Sequence, residues 1–409
     1  MAWSQLWTIG VRDLMRNRRR SVLTLIAVAL GLTLLIVLNG LVQGTLADSL
    51  QYSIRYQTGH AQVRNDAYEE EKLSLQWRDL LENPAELVTQ AEALPEVKHA
   101  APVLWINGIV NTADDSVGVR VYGIDVSSPI YQPIREATFA SGFLTADDRS
   151  GILIGNRLAE DLGVSVGQKL VLTIVNADGQ PEEGVFTIRG LFATGLPFYD
   201  QNSVFLPLAK AQAFAGTGER ASAIVIMLHD QDRADEVAAA LSGPDLITPT
   251  WQDLNAVLLT AARTGLSFYY ILDVIVMLVV AVVIANTLLM AVFERVREIG
   301  ILASLGMRAA QIRLMFLLEA AILGVAGIVV GFGLGSLGVA YLASAGLEIG
   351  DVATAAGGAM VLGTKMYAHF MPGLFIGLAV ATLVVILLAS LYPAWYASRL
   401  EPVEALRAL

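Results

Sequence analysis

Four stretches of this chain contain no Asp, Glu, Lys, Arg or His: residues 21–47, 274–293, 320–347 and 370–398. A helix needs about 20 mostly apolar residues to cross the hydrocarbon layer of a bilayer, and each stretch meets that length. All 27 basic and 38 acidic residues therefore lie outside the four. The whole chain is 55% hydrophobic and 16% charged, against about 45–50% and about 25% in soluble domains. The excess apolar content is thus concentrated in four membrane-length segments. This distribution excludes a simple soluble enzyme, a secreted disulfide scaffold and a disordered tail protein.

The chain has no cysteine, which removes disulfides, thiolate nucleophiles, zinc–cysteine sites and a lipobox cysteine. A large domain outside the cytoplasm without disulfides fits a bacterial envelope. Residues 48–263 carry 29 acidic and 15 basic side chains, so no cationic surface is available for nucleic acid. Arg12, Arg16, Arg18, Arg19 and Arg20 precede the first apolar stretch against the single acid Asp13. Positive residues favour the cytoplasmic side, and the expected topology follows: a cytoplasmic segment 1–20, first span 21–47, an outer domain 48–263, second span 264–293, a cytoplasmic connection 294–313, third span 314–347, an outer loop 348–369, fourth span 370–398, and a cytoplasmic end 399–409. The first apolar run is too long for the core of a cleaved signal peptide. Trp3, Leu6, Trp7, Val11 and Leu14 recur at helical spacing, as in an amphipathic helix lying in the interface or as a simple extension of the first span.

The fold class expected is a polytopic α-helical membrane protein with four transmembrane helices and a large α/β extracytoplasmic domain between the first and second. In that domain residues 84–94 and 157–162 read as helices, and residues 103–111 and 117–123 as strands around the Asp114–Asp115 turn. Residues 151–154 read as another strand, and residues 169–175 and 184–190 as strands flanking Ala177, Asp178 and Gly179. A strand at 223–228 precedes a helix at 233–241. Alternating strands and helices at both ends, around a β-rich centre, suggest one subdomain inserted in another. No catalytic constellation is present: His60, His99, His229 and His369 are scattered, and no G-x-S-x-G or G-x-x-x-x-G-K-[ST] motif occurs. Gly363, Thr364 and Lys365 are the nearest approach to a phosphate loop and lack a preceding strand. The acidic runs Glu69–Glu71 and Asp147–Asp148 read as solvated loops. The expectation is no catalytic, cofactor-binding or metal site in this chain.

In the membrane half, Gly327, Gly331 and Gly335 put small residues every four positions on the third span. Such a stripe lets helices approach closely, within the chain or between subunits. Glu319 and Asp273 stand at membrane edges, where an ionisable group reads either as functional or, more often, as a snorkelling or capping carboxylate. The connection 294–313 carries the apolar residues Ile299, Ile301, Leu302 and Leu305, with breaks at Gly300 and Gly306. Apolar groups there need a protein partner or a lipid surface to cover them.

The run E-R-x-R-E-I-G-I-L-x-x-L-G from Glu294 to Gly306, followed by I-x-x-x-F-x-x-E ending at Glu319, resembles the FtsX-like permease domain of ABC systems in the MacB, LolC/LolE and FtsX superfamily. R-N-x-x-R-S at Arg16 to Ser21 and Y-P-A at Tyr392 with P-V-E-A-L-R from Pro402 resemble the family's two ends. Thr58 to Val63 and Ile154 to Gly163 are similar to its lipoprotein-releasing branch. Ala303 departs from the family's common basic residue, as do Trp395 and Tyr396. The resemblance implies a permease subunit in the bacterial inner membrane that uses the movements of a separate ATPase to drive its outer domain. ATP and Mg would be bound by that partner, not by this chain. The implied partners are two copies of an ABC ATP-binding subunit, a second permease (an identical copy or a paralogue), membrane lipid, and a lipoprotein cargo or periplasmic adaptor. The implied docking residues are Arg297, Glu298, Ile299, Gly300, Leu305 and Gly306. For a lipoprotein-releasing protein, an acyl-chain cavity is expected between the first two spans, lined by Leu35, Leu38, Asn39, Val42, Phe268, Tyr269 and Ile271. The rival readings are a MacB-type efflux mechanotransmitter and an FtsX-type transmembrane activator of a periplasmic hydrolase.

Overall fold

The computed structural model describes residues 18–69, 75–112, 115–140, 142–350 and 362–400. The interfacial segment, Glu70 and Glu71, Asp114 and the motif that follows Leu400 lie outside them. Among the described residues four helices are long and apolar enough to cross a membrane. They are Arg18–Ser53, Ala256–Glu294, Ala309–Ala345 and Pro372–Ser398. The first uncharged run lies inside a longer helix and the second fills the last half of one, whereas the third run continues two residues beyond its helix and the fourth begins two residues before its own.

The chain divides into two compact units. The first holds the spans. Its interior alternates apolar layers from different helices: Val28, Val280, Ala320 and Ile386 share one buried cluster, and Leu35, Ile36, Val339 and Phe375 another. The glycine stripe serves packing inside this unit. A Cβ on Gly327 would stand 2.7 Å from Val28, one on Gly331 2.7 Å from the Ala29 carbonyl oxygen, and one on Gly335 2.9 Å from Ile36. The third span thus lies directly on the first.

The second unit comprises Leu46–Ala262 and Glu348–Lys365. Among the described residues its main sheet has ten strands: β1 Ala61–Asn65, β2 Val97–Asn111, β3 Ser116–Ile124, β4 Thr138–Phe139, β5 Gly151–Gly155, β6 Lys169–Val175, β7 Pro181–Phe192, β8 Ser203–Pro207, β9 Ala223–Leu228 and β10 Leu246–Ile247. The pairings β2–β3, β3–β8, β8–β5, β5–β7, β7–β6 and β6–β2 close a six-stranded barrel. Strand periodicity of two fills it. Leu104, Ile106 and Val110 of β2, Ile152 and Ile154 of β5, and Val204 and Leu206 of β8 point to one core. Their neighbours Val103 and Trp105, Leu153, and Phe205 point to a second, aromatic core on the other face.

The remaining strands run β10–β1–β9–β2, all antiparallel, with the helices Pro84–Glu92 and Ala234–Leu241 contributing to a third core beside them. Two β-α-β halves with this order make a split, ferredoxin-like layer, and the barrel is the insert between them. The two parts are not separate sheets, because β2 pairs with β9 along its first half and with β6 along its second. Residues of the loop between the third and fourth spans also join this unit. Thr364 donates its N–H to the Gly195 carbonyl at 3.0 Å, which ties this loop to the large domain.

Candidate functional site

The connection between the second and third spans is built from two helix ends and one short helix. The second span stops at Glu294, and Arg295 breaks the helix with φ −113° and ψ 16°. Val296–Ser304 then forms a separate helix. It closes with the Leu305 N–H on the Ile301 carbonyl and the Gly306 N–H on the Ala303 carbonyl, both at 3.0 Å. Gly306 adopts φ +91°, a left-handed conformation that suits glycine at a helix end. Arg308 starts the third span, its N–H bound to the Gln311 side-chain oxygen at 3.0 Å.

The short helix has two faces. Ile299, 2% exposed, and Gly300 are buried. Ile299 shares a core with Ala291, Val292, Ile312, Met315, Phe316, Ala394 and Ala397. Ala394, in the Y-P-A motif of the fourth span, therefore packs in the same core as the E-R-x-R-E-I-G motif, and small side chains there let the short helix seat closely. On the opposite face Arg297, Glu298, Ser304 and Gly306 are exposed, with Ile301 at 43% and Leu305 at 79%. Of the residues expected to dock, Ile299 and Gly300 are buried and seat the helix, whereas Arg297, Glu298, Leu305 and Gly306 are exposed. Ile301 and Ser304, absent from the expected docking set, complete the face at helical spacing.

Two charge contacts anchor the root of this helix. Glu294 accepts from Arg20 of the first span at 2.8 Å at a partly exposed position. Arg295 Nη1 lies 3.5 Å from Glu319 Oε2 of the third span, and each side chain is only 3% exposed. Glu319 is therefore a buried, ion-paired carboxylate and does not snorkel. Asp273 is likewise buried and accepts from the Asn39 amide at 3.0 and 3.1 Å.

The seven residues expected around an acyl-chain cavity are not brought together within one chain. Leu35 and Asn39 turn into the bundle, Leu38 and Val42 are half-buried, and Phe268, Tyr269 and Ile271 face outward. One helix cannot direct Phe268 and Asp273 to the same side, and the polar pair Asn39–Asp273 takes the inward position. Among the described residues no group of three or more His, Asp or Glu side chains could hold a metal ion.

In the large domain Asp200 is buried and accepts hydrogen bonds from the Thr194 N–H, at 3.1 Å to both oxygens, and from the Thr194 hydroxyl at 2.6 Å. Burial pushes its pKa up to about 6 against these hydrogen bonds. It braces the Thr194–Gly195 turn that holds Thr364.

Residues 21–243 match the MacB-like periplasmic core domain, and residues 270–402 match the FtsX-like permease C-terminal domain. The chain belongs to the FtsX-like permeases of ABC transporters. This permease is 25% identical to the lipoprotein-releasing system transmembrane protein LolC of Xylella fastidiosa, over 98% of both chains. It is 24% identical to the corresponding LolE of Haemophilus influenzae, over 93% of this chain and 92% of that protein. It is also 27% identical to the macrolide export ATP-binding/permease protein MacB of Hyphomonas neptunium, over 77% of this chain and 48% of that one. Among solved structures, the periplasmic region of MacB from Actinobacillus actinomycetemcomitans matches 51% of this chain and 97% of its own, at 12% identity and a TM-score of 0.33. From the family models and the curated relatives, the permease is a membrane-embedded transporter subunit with a large extracytoplasmic domain.

Proposed function

We propose that this permease lies in the bacterial inner membrane with both termini in the cytoplasm, and that it extracts lipoprotein or lipid from the outer leaflet using ATP hydrolysed by a separate subunit. The observation that carries this reading is end-to-end similarity to LolC, a transmembrane protein of a lipoprotein-releasing system, at 98% coverage of both chains. Two ATP-binding subunits, which would supply the ATP and Mg chemistry, serve two permeases, identical or paralogous. The docking face is Arg297, Glu298, Ile301, Ser304, Leu305 and Gly306. A leucine 79% exposed beside charged groups is the composition of an interface waiting to be covered. Phe268, Tyr269 and Ile271, which face outward, and the half-buried Leu38 and Val42 supply apolar surface for acyl chains, with the chain itself performing no catalysis. The chain also spans about half of a MacB protein at 27% identity, which supports efflux as the second reading.

The two readings separate when the protein is purified from its native membranes in mild detergent and its companions are identified by mass spectrometry. An ATP-binding subunit with an acylated protein is the expected result. An ATPase accompanied by a periplasmic adaptor, without lipidated cargo, would replace lipoprotein release with efflux; a periplasmic hydrolase in its place would indicate signalling.

A further inference from the structure

A helix break is a hinge. Arg295, at φ −113° between the second span and the short helix, is where a push on the docking face would be lost as bending unless something tied the short helix to a span. The structure contains such a tie. The Arg295 guanidinium reaches Glu319 ten residues into the third span, with both groups 3% exposed. Apolar residues from three segments stand around this region: Ala291 and Val292 of the second span, Ile299 of the short helix, and Met315 and Phe316 of the third span. In such surroundings separated charges are far more costly than paired ones, so the two groups keep together when either element moves. The neighbouring Arg20–Glu294 contact is different: with side chains 20% and 42% exposed, water can replace either partner cheaply.

Stability alone gives little reason for a buried pair here, because apolar residues of similar volume would hold the same core as well or better. The third span in turn lies on the first through Gly327, Gly331 and Gly335, so its displacement cannot stay local.

We propose that the Arg295–Glu319 pair is a positioning strut that makes the short docking helix and the third span move as one body, handing displacement at the docking face to the third span. The proposal rests on the docking reading above.

The test uses the complete permease with its ATP-binding subunit in lipid nanodiscs. A cysteine replacing the exposed Ser344, near the far end of the third span, is labelled with maleimide in the nucleotide-free and vanadate-trapped states. In the otherwise unaltered protein the labelling rate changes on trapping. In Glu319→Gln, and in the apolar double variant Arg295→Met/Glu319→Leu that preserves packing, the nucleotide-dependent change shrinks about tenfold, while co-purification of the ATP-binding subunit stays at the unaltered level. The charge swap Arg295→Glu/Glu319→Arg restores the change, and Glu294→Gln leaves it intact. Two results overturn the strut alone: a full labelling change in both uncharged variants, or no change in the unaltered protein although the ATP-binding subunit is bound. If no ATP-binding subunit accompanies the unaltered permease, the docking reading fails and the strut falls with it.

Discussion

At the residue scale, two glycines do different work. Gly306 sits at φ +91°, and a methyl group added there would find nothing within 4 Å, so substitution strains only the backbone. Gly306→Val should cost about 1–2 kcal/mol in the loop and lower the recovery of the ATP-binding subunit without a comparable loss of bundle stability. Gly331 is the reverse case, because a side chain would meet the Ala29 carbonyl of the first span at 2.7 Å. Gly331→Leu should lower the melting temperature in detergent, whereas Gly333→Leu, with nothing within 4 Å, should leave it unchanged; equal effects would refute the close packing of first and third spans. Asp200 makes a pH prediction. Its folded pKa of about 6 is raised above the ordinary 3.8, so between these values the folded state binds more protons than the unfolded one. Stability from this group is greatest below about pH 4 and falls as the pH rises to about 6, a loss of about 3 kcal/mol when complete. Thermal melting of Asp200→Asn against the unaltered protein should therefore show a difference that grows across this window and levels off above it; a difference independent of pH would contradict the assignment.

At the element scale, the short docking helix divides function between its faces, and the division can be measured. Ile299→Ala opens a cavity in a buried core and should cost about 2–4 kcal/mol of stability. Leu305→Asp alters a side chain that is 79% exposed and should leave melting unchanged while abolishing co-purification of the ATP-binding subunit. If both variants bind normally, this helix is not the docking element. The sequence made the helix visible but not its orientation. Its apolar residues Ile299, Ile301, Leu302 and Leu305 are spread around the helix, so periodicity does not say which of them face the fourth span. That fact depends on Ala394 and Ala397, which lie far along the chain. Strands of the large domain were legible wherever period-two alternation met a turn, as with β6 and β7 around Asp178. The double pairing of β2 was not, because one continuous strand, Val97–Asn111, carries no mark at the point where its partner changes from β9 to β6. The pair Arg295–Glu319 was hidden for the same reason: the motif contains both residues, but only the hairpin of two helices brings them together.

At the scale of the whole molecule, charge and apolar length together decide how the chain is threaded. Four spans return the chain to its starting side, so one orientation follows from any one connection. The large domain, with 29 acidic and 15 basic residues between positions 48 and 263, is poorly suited to the side where basic residues are retained. The short connection between the second and third spans, with Arg295, Arg297, Arg308 and Arg313, suits it well, and the Arg20–Glu294 contact at 2.8 Å places the start of the first span beside the end of the second. Arginines before the first span and those after the second therefore belong to one membrane face. The chain is free of natural cysteine, which makes the consequence directly measurable in intact cells. A cysteine replacing exposed Gln180 in the large domain should react with a membrane-impermeant maleimide once the outer envelope is permeabilised, and one replacing exposed Ala310 should react only after the inner membrane is opened. The reverse pattern would put the docking face outside, beyond the reach of any ATP-binding subunit, and would overturn the transport reading together with the topology. Labelling of both positions from the same side would instead require an even number of crossings between them, and would remove the second helix, Ala256–Glu294, from the membrane.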